Sequence, residues 1–403
     1  MTGRFPTVLL ALSLGMAGCT AATSVSPSPL QPLASVTAPT APTSTATTTP
    51  AVTASSSPEP QAPTCRATAQ GLSLREQAGQ LLMVGVNGSL DEVERTAITK
   101  YHVGSVILMG TSTAGVKRTA ALTGQLAKLG GETGVLVAVD QEGGLVQRLQ
   151  GPGFSTIPSA AMQAKLSDAT LRQRAEGWGE ELAAAGVHLN LAPVADVVPA
   201  AKQATNQPVA RLGRGYGSKP AVVSAKVNAV VEGLRAGGVS AAVKHFPGLG
   251  EVTGNTDFVA RVVDTVTTAT SPGLVPFRDA VTAGVDAVMV SSAFYTRIDG
   301  KRMAGFSPKV IGLLRDWGFE GVVVSDDLGA AVALRGVPAT RRALSFVEAG
   351  GDLAITVTPA LASSMTAGLV KAAKADSAVA ERITEAASRV LALKQAHGLV
   401  ECG

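Results

Sequence analysis

The chain has 403 residues, with 34 Lys and Arg against 30 Asp and Glu and a formal net charge of +4. No basic cluster stands out along the sequence, so its charge gives no reason to expect a nucleic-acid partner. Aromatic residues make up only 3%, and the abundant Ala, Val, Gly and Leu suit tight packing of helices on strands.

The N-terminal residues 1–18 are predicted to be a signal peptide of the lipoprotein type. Arg4 precedes an apolar stretch over 8–16 and small residues before Cys19, a pattern typical of secretory signals and too short to span a membrane. The end of this segment resembles a lipobox, where bacteria acylate the cysteine and cleave before it. We therefore expect a lipid on Cys19 and an extracytoplasmic protein anchored to the cell membrane, with plain secretion as the alternative.

Residues 19–64 consist almost entirely of Ser, Thr, Ala, Pro and Val. Such a segment cannot bury enough apolar surface to offset the entropy of ordering, so it is predicted to be a semi-extended linker. The remaining residues, 65–403, are many for one average domain but normal for one α/β barrel.

Cys65 and Cys402 lie at the two ends of this predicted domain. In an oxidising compartment they could form a disulfide, because a closed barrel brings its termini together; two free thiols are the alternative. A zinc site is not expected, since no complete set of Cys and His at ligand spacing accompanies them.

Eight short apolar runs alternate with helix-like stretches along 65–403. Continuous apolar runs of this length fit strands that are buried on both faces. They are 81–86, 103–110, 134–140, 187–194, 239–246, 285–292, 321–326 and 350–357. Helices are predicted over 170–186, 220–238, 307–319 and most of 363–399. This alternation predicts an α/β fold, a (β/α)8 TIM-type barrel, with an open doubly wound sheet as the alternative.

Polar residues close three of the apolar runs. Asp140 ends the third run, Lys244 and His245 end the fifth, and Asp326 ends the seventh. Each has an ordinary structural explanation: a turn, an ion pair, a buried histidine or a helix cap. The reacting groups of a barrel lie where strands end and loops begin, so four such residues meeting at one rim favour a functional site.

At these residues the chain resembles the family 3 glycoside hydrolases, and specifically the single-barrel β-N-acetylglucosaminidases of bacteria. The combination of Lys-His-Phe-Pro-Gly with a Ser-Asp-Asp ending is specific, and the matching segments cover essentially the whole predicted domain in the family's order. They are VDQEGGLVQRL (139–149), NLAPVADV (190–197), LGRGYG (212–217), VKHFPGLG (243–250), VMVSSAFY (288–295) and VVVSDDLGA (322–330).

The resemblance implies a retaining mechanism in which a carboxylate attacks the sugar and forms a covalent glycosyl-enzyme. Asp326 matches the family's nucleophile, and the cations Lys244, Arg148 and Arg214 are expected to favour its ionised form. The family's substrate-binding positions match Asp140, Arg148, Arg214, Lys244 and His245.

The acid/base is the point at which the chain departs from the family. In the acetylglucosaminidase branch a histidine in the loop after the fifth strand has this role, but the corresponding stretch here is Asn255-Thr256-Asp257. The acid/base is therefore assigned to Asp257, with Asn255 as its hydrogen-bond partner and a pKa raised by burial or by Asp326. Three alternatives stay open: Glu251 in the same loop, an acid from elsewhere, or a loop that has lost its acid.

Two further departures bear on the leaving group. Leu145 stands where the family often has Arg, and Ser291-Ser292 stand where it often has Ala-His. We expect both to alter what lies beyond the sugar subsite.

The resemblance implies a retaining exo-β-N-acetylglucosaminidase that removes terminal GlcNAc from cell-wall-derived or chitin-derived oligosaccharides. The short loop after Lys-His-Phe-Pro-Gly and the lack of a second domain after the barrel favour this activity. The alternatives are a β-glucosidase or β-xylosidase of the same family and a non-catalytic glycan-binding lipoprotein. The expected partners are the oligosaccharide and, through the lipid, the membrane; neither a metal nor an organic cofactor is implied.

Overall fold

Eight parallel β-strands form the centre of the fold. The structure, a computed structural model, describes residues 65–403, and each barrel strand lies within one of the eight apolar runs. The strands are β1 (Leu82–Val86), β2 (Ser105–Leu108), β3 (Leu136–Val139), β4 (Leu189–Asn190), β5 (Ser240–Phe246), β6 (Ala287–Val290), β7 (Val322–Ser325) and β8 (Ala354–Thr356).

The eight strands close into a ring. β1 pairs with β2 on one side and with β8 on the other, where Leu82 lies opposite Ala354. Val324 of β7 forms a parallel bridge with Leu353, the residue before β8. This closure confirms the predicted (β/α)8 barrel and rules out an open doubly wound sheet, which would leave two free edges.

Helices surround the barrel and connect its strands. The predicted helices are present with ends that differ by a few residues, and the stretch 363–399 divides into two. Within residues 65–403 the α-helices are Arg66–Gly71, Leu74–Gln80, Glu92–Tyr101, Gly115–Ala127, Ala160–Gln163, Asp168–Ala184, Pro220–Ala236, Val275–Thr282, Thr296–Asp299, Pro308–Asp316, Ala339–Glu348, Ala362–Ala375 and Ser377–Gln395.

The core has two layers because side chains alternate along each strand. Leu136 and Ala138 of β3 belong to an apolar cluster inside the barrel, together with Met289 of β6. Val137 and Val139 face the other way and pack in the layer between strands and helices. This double burial explains why every barrel strand reads as a continuous apolar run.

The two ends of the described chain are joined by a disulfide between Cys65 and Cys402. Cys65 directly precedes the first helix, and Cys402 follows the last one. The structure therefore has the bridge that the sequence left open, rather than two free thiols. Cys19, the predicted signal peptide 1–18 and the predicted linker 19–64 lie outside the described residues.

Candidate active site

A cavity of about 690 Å³ opens at the carboxyl ends of the barrel strands. The loops after β3, β5 and β7 supply most of its polar side chains, as the barrel geometry requires. The structure brings all seven residues proposed for catalysis and sugar binding to this cavity: Asp140, Arg148, Arg214, Lys244, His245, Asp257 and Asp326.

Two consecutive residues of β5 line the cavity. In a regular strand, successive side chains point to opposite faces, so Lys244 and His245 would not normally share one. The pairing of β5 with β6 shifts in register between Val243 and Phe246. This irregularity allows both side chains to reach the cavity.

Lys244 is held by two carboxylates. Its Nζ donates a hydrogen bond to Asp140 Oδ1 at 2.6 Å and lies 2.6 Å from Glu142 Oε1. Glu142 also accepts two hydrogen bonds from Arg214, from Nε at 2.8 Å and from Nη2 at 2.7 Å. Glu142 thus links the two cations into one buried network.

The charges of this network stabilise one another. Burial alone would raise the pKa of Glu142, but the Arg214 and Lys244 cations outweigh it and hold that pKa well below its ordinary value. Burial would lower the pKa of Lys244, but Asp140 and Glu142 raise it. Lys244 and Arg214 therefore stay charged at neutral pH and are held as donors at fixed positions in the cavity wall.

His245 is oriented by a buried carboxylate, Asp196. The Asp196 Oδ2 atom lies 2.7 Å from His245 Nδ1, and its Oδ1 accepts the backbone N–H groups of His245 and Leu249. With Nδ1–H donated to Asp196, the ring presents Nε2 towards Arg214, whose Nη2 lies 3.3 Å away. Asp196 therefore fixes both the ring and the start of the loop that follows β5.

Arg148 contributes a donor that other side chains do not use. Arg148 lines the cavity, and its buried Nε has no hydrogen-bond partner within residues 65–403. A buried donor left unpaired is costly, which is consistent with a group that pairs with a bound ligand.

Asp326 directly follows β7 and is fixed by backbone contacts. Its own N–H donates to the Val290 carbonyl oxygen at 3.0 Å, and its Oδ1 accepts the Asp327 N–H at 2.9 Å. Asp326 lines the cavity, together with residues of the loop that follows β5.

The pKa of Asp326 is raised to about 6, first by burial and then by the carboxylate of Asp257, although His245 acts to lower it. The cations Lys244, Arg148 and Arg214, which were expected to favour the ionised form, are not among the main causes of this shift. Lys244 and Arg214 are already neutralised by Asp140 and Glu142.

Asp257 lies in the loop after β5 and is exposed at the cavity mouth. Its backbone N–H donates to Asn255 Oδ1 at 2.9 Å, and its carbonyl oxygen accepts the Val332 N–H at 3.3 Å. Asn255 therefore holds the backbone of Asp257 rather than its carboxylate, which differs from the prediction. The carboxylate of Asp257 is close enough to Asp326 for its charge to raise the pKa of Asp326.

The other acidic residue of this loop, Glu251, is engaged elsewhere. Its Oε2 lies 2.8 Å from Lys202 Nζ, and Glu251 is not among the residues that line the cavity. A switch of Glu251 into the acid/base position would first have to break this ion pair.

Sequence reasoning missed two residues of the site, Glu142 and Asp196. Both lie in segments that carried the family resemblance, Glu142 two residues after Asp140 and Asp196 near the end of NLAPVADV. Both are acidic residues at an otherwise apolar or glycine-rich strand end. A buried acidic residue needs a cation or a hydrogen-bond donor, so their positions could have identified them as site residues.

The two other positions at which the sequence differs from the family, Leu145 and Ser291-Ser292, lie in different surroundings. Leu145 is exposed and lines the cavity, as expected of a residue that affects the leaving group. Ser291 and Ser292 are buried and lie outside the cavity lining, and Ser291 Oγ is 3.0 Å from the Tyr295 hydroxyl. These serines thus belong to the packing behind the site.

Comparisons with known proteins agree on one family. The family model described as "Glycosyl hydrolase family 3 N terminal domain" matches residues 73–393. Beta-hexosaminidase LpqI of Mycobacterium tuberculosis is 32% identical over 337 residues, which cover 80% of this chain and 83% of that protein. The beta-hexosaminidase of Alkalilimnicola ehrlichii is 34% identical over 285 residues, which cover 68% of this chain and 79% of that protein.

A solved structure extends the agreement to three dimensions. The beta-N-acetylhexosaminidase from Beutenbergia cavernae superposes with a TM-score of 0.79 at 45% identity, and the match covers 80% of this chain and 99% of that one.

Proposed function

Because the chain belongs to glycoside hydrolase family 3, we propose that it is a retaining exo-β-N-acetylglucosaminidase. Its substrates would be oligosaccharides with a terminal β-linked GlcNAc, derived from cell walls or from chitin. The similar proteins named beta-hexosaminidase and beta-N-acetylhexosaminidase support this choice of sugar.

One observation carries the proposal: Asp326 and Asp257 line one cavity, which is also lined by the charged network of Lys244, Glu142 and Arg214. Retaining glycosidases use two such groups, one as nucleophile and one as acid/base, typically about 5–5.5 Å apart. The network of Lys244, Glu142 and Arg214 supplies donors for the sugar hydroxyls beside them.

The mechanism follows from these positions. The Asp326 carboxylate attacks the anomeric carbon while Asp257 gives its proton to the glycosidic oxygen, so that the leaving group departs as an alcohol. Asp257 then takes a proton from water, which displaces Asp326 and restores the β configuration. A pKa of about 6 leaves Asp326 about 90% ionised at pH 7, as a nucleophile requires.

Hydrolysis of 4-nitrophenyl glycosides tests the proposal. We expect turnover of the β-GlcNAc derivative well above that of the β-glucoside and β-xyloside, and NMR should detect the β-anomer of GlcNAc as the first product. Asp326→Asn should lower kcat by several orders of magnitude. Preference for glucose or xylose would favour the other family 3 activities, and binding of GlcNAc without turnover of any glycoside would favour a glycan-binding lipoprotein.

We further propose that the protein acts outside the cytoplasm, anchored by a lipid on Cys19. This proposal depends on the lipobox-like end of residues 1–18, and labelling with palmitate tests it. The wild-type chain should incorporate the label and partition with membranes, whereas Cys19→Ala should do neither. In the part of the chain that the structure describes, no helix is both long and apolar enough to cross a membrane.

A further inference from the structure

The catalytic cavity has an apolar part that the reaction steps do not use. Among residues 65–403, Phe258 and Leu145 are the most exposed large apolar side chains, at 78% and 74%. Both line the cavity, whereas the other exposed large apolar side chains do not. Exposed apolar surface is therefore concentrated at the mouth of an otherwise charged site, as expected for a binding surface.

The two side chains come from different loops. Leu145 lies in the turn between the short strands Gln141–Gly143 and Val146–Gln147, and Phe258 follows β5. The loop around Phe258 is held in place, because the N–H groups of Phe258 and Val259 both donate to the Asn255 carbonyl oxygen, at 3.1 and 2.9 Å. The apolar surface thus has a defined position.

The position of Phe258 indicates which part of the substrate it would contact. Phe258 directly follows Asp257, the group that would protonate the glycosidic oxygen. The leaving group is attached to that oxygen, so it must lie beside the loop that carries both residues. The charged wall formed by Lys244 and Arg214 holds the sugar that is transferred, which leaves the apolar part for the group that is released.

We propose that Phe258 and Leu145 form a subsite for the leaving-group sugar and thereby determine which leaving groups are accepted. The ligand is a pyranose ring, one face of which presents apolar C–H groups to an aromatic ring and an aliphatic side chain. This inference rests on the proposed glycosidase activity and deepens it.

Two substrates with the same transferred sugar test the proposal. N,N′-diacetylchitobiose releases a sugar, whereas 2-acetamido-2-deoxy-β-D-glucosyl fluoride releases a single atom that cannot contact the subsite. Phe258→Ala should lower kcat/KM for the disaccharide about tenfold and leave that for the fluoride within about twofold of wild type. Leu145→Ala should also lower kcat/KM for the disaccharide and not for the fluoride, but by a smaller factor. Phe258→Tyr keeps an aromatic ring and should have the wild-type ratio of the two kcat/KM values.

Val266→Ala is the matched control, because Val266 is 45% exposed but lies outside the cavity; it should change neither rate. An equal loss on both substrates in Phe258→Ala would overturn the proposal, since it would indicate a displaced acid/base loop. An unchanged disaccharide rate would also overturn it. Failure of the wild-type protein to hydrolyse even the fluoride would instead refute the proposed glycosidase activity.

Discussion

The ammonium group of Lys244 lies 2.6 Å from a carboxylate oxygen of Glu142, and both side chains are almost fully buried. Glu142 also binds Arg214 through both of its oxygens. Glu142 is thus the carboxylate that the two buried cations share, while Asp140 also pairs with Lys244. We expect Lys244 and Arg214, the donors proposed to bind the sugar, to keep their positions only while Glu142 keeps its charge.

Replacement of Glu142 should therefore affect both stability and activity. Glu142→Gln leaves Lys244 and Arg214 without their shared counter-charge, which typically costs about 3–5 kcal/mol when one partner of a buried pair is removed. Displacement of the two donors should also lower kcat/KM about a hundredfold. Denaturant unfolding and steady-state kinetics measure the two effects.

Glu348→Gln is the control for this experiment, because Glu348 pairs with Arg341 at the surface, where both side chains are exposed. An exposed pair contributes about 0–1 kcal/mol. Equal stability losses in Glu142→Gln and Glu348→Gln would contradict the role assigned to Glu142.

The raised pKa of Asp326 makes a prediction about stability. Its pKa of about 6 in the folded chain exceeds the ordinary value of 3.8, so the proton is bound more tightly in the folded state. The stability contributed by this proton is fully present below about pH 4 and is lost as the pH rises through about 6.

Asp326→Asn cannot ionise and keeps an oxygen for the Asp327 N–H. We expect it to be more stable than wild type at pH 7 by about 3 kcal/mol, with most of this gain absent at pH 4. Denaturant unfolding at the two pH values measures this difference. A gain at pH 4 that is as large as the gain at pH 7 would show that the ionisation of Asp326 is not its source.

The apolar runs predicted the barrel because each strand is buried on both faces, as Val137 and Ala138 illustrate with their opposite partners. Helix ends were less well predicted, since capping decides them. Ser167 caps the helix Asp168–Ala184 by accepting the Thr170 N–H, whereas the apolar pattern placed the start two residues later.

Most of the ion pairs of the site could not be predicted from the sequence because they join residues that are far apart along the chain. Lys244 meets Glu142 across about a hundred residues of chain, and His245 meets Asp196 across 49. Sequence motifs indicated that Lys244 could pair with Asp140, as it does, but not that Glu142 is the carboxylate shared by Lys244 and Arg214. Burial, the first cause of the raised pKa of Asp326, is likewise set by the tertiary fold.

The acid/base role of Asp257 predicts a dependence on the leaving group. Asp257→Asn should lower kcat/KM for substrates with poor leaving groups, which need a proton, by about 10²–10⁴-fold. Activated nitrophenyl substrates should lose much less, and azide should restore turnover. Equal losses on both kinds of substrate would argue against the role.

Glu251→Gln is the matched control in the same loop, because Glu251 is paired with Lys202 outside the cavity. It should show no dependence on the leaving group. If Glu251→Gln, rather than Asp257→Asn, lost more activity on substrates with poor leaving groups than on activated ones, the acid would have to be assigned to Glu251.

The disulfide between Cys65 and Cys402 should contribute strongly to stability, because it closes a loop that contains almost the whole domain. Replacement of both cysteines by serine is expected to lower the free energy of unfolding by about 2–5 kcal/mol. Catalytic constants should be unchanged, since the bridge lies outside the cavity lining. A reductant should lower the Tm of the wild type but not that of the double variant; equal sensitivity would contradict this prediction.

Mass spectrometry of the trapped glycosyl-enzyme tests the central claim most directly. A 5-fluoro derivative of 2-acetamido-2-deoxy-β-D-glucosyl fluoride, which slows hydrolysis of the covalent intermediate, should add one sugar mass to the chain. After proteolysis we expect that mass on Asp326, and Asp326→Asn should not acquire it. Labelling of another carboxylate, or efficient turnover with no covalent intermediate and an inverted product, would contradict the account.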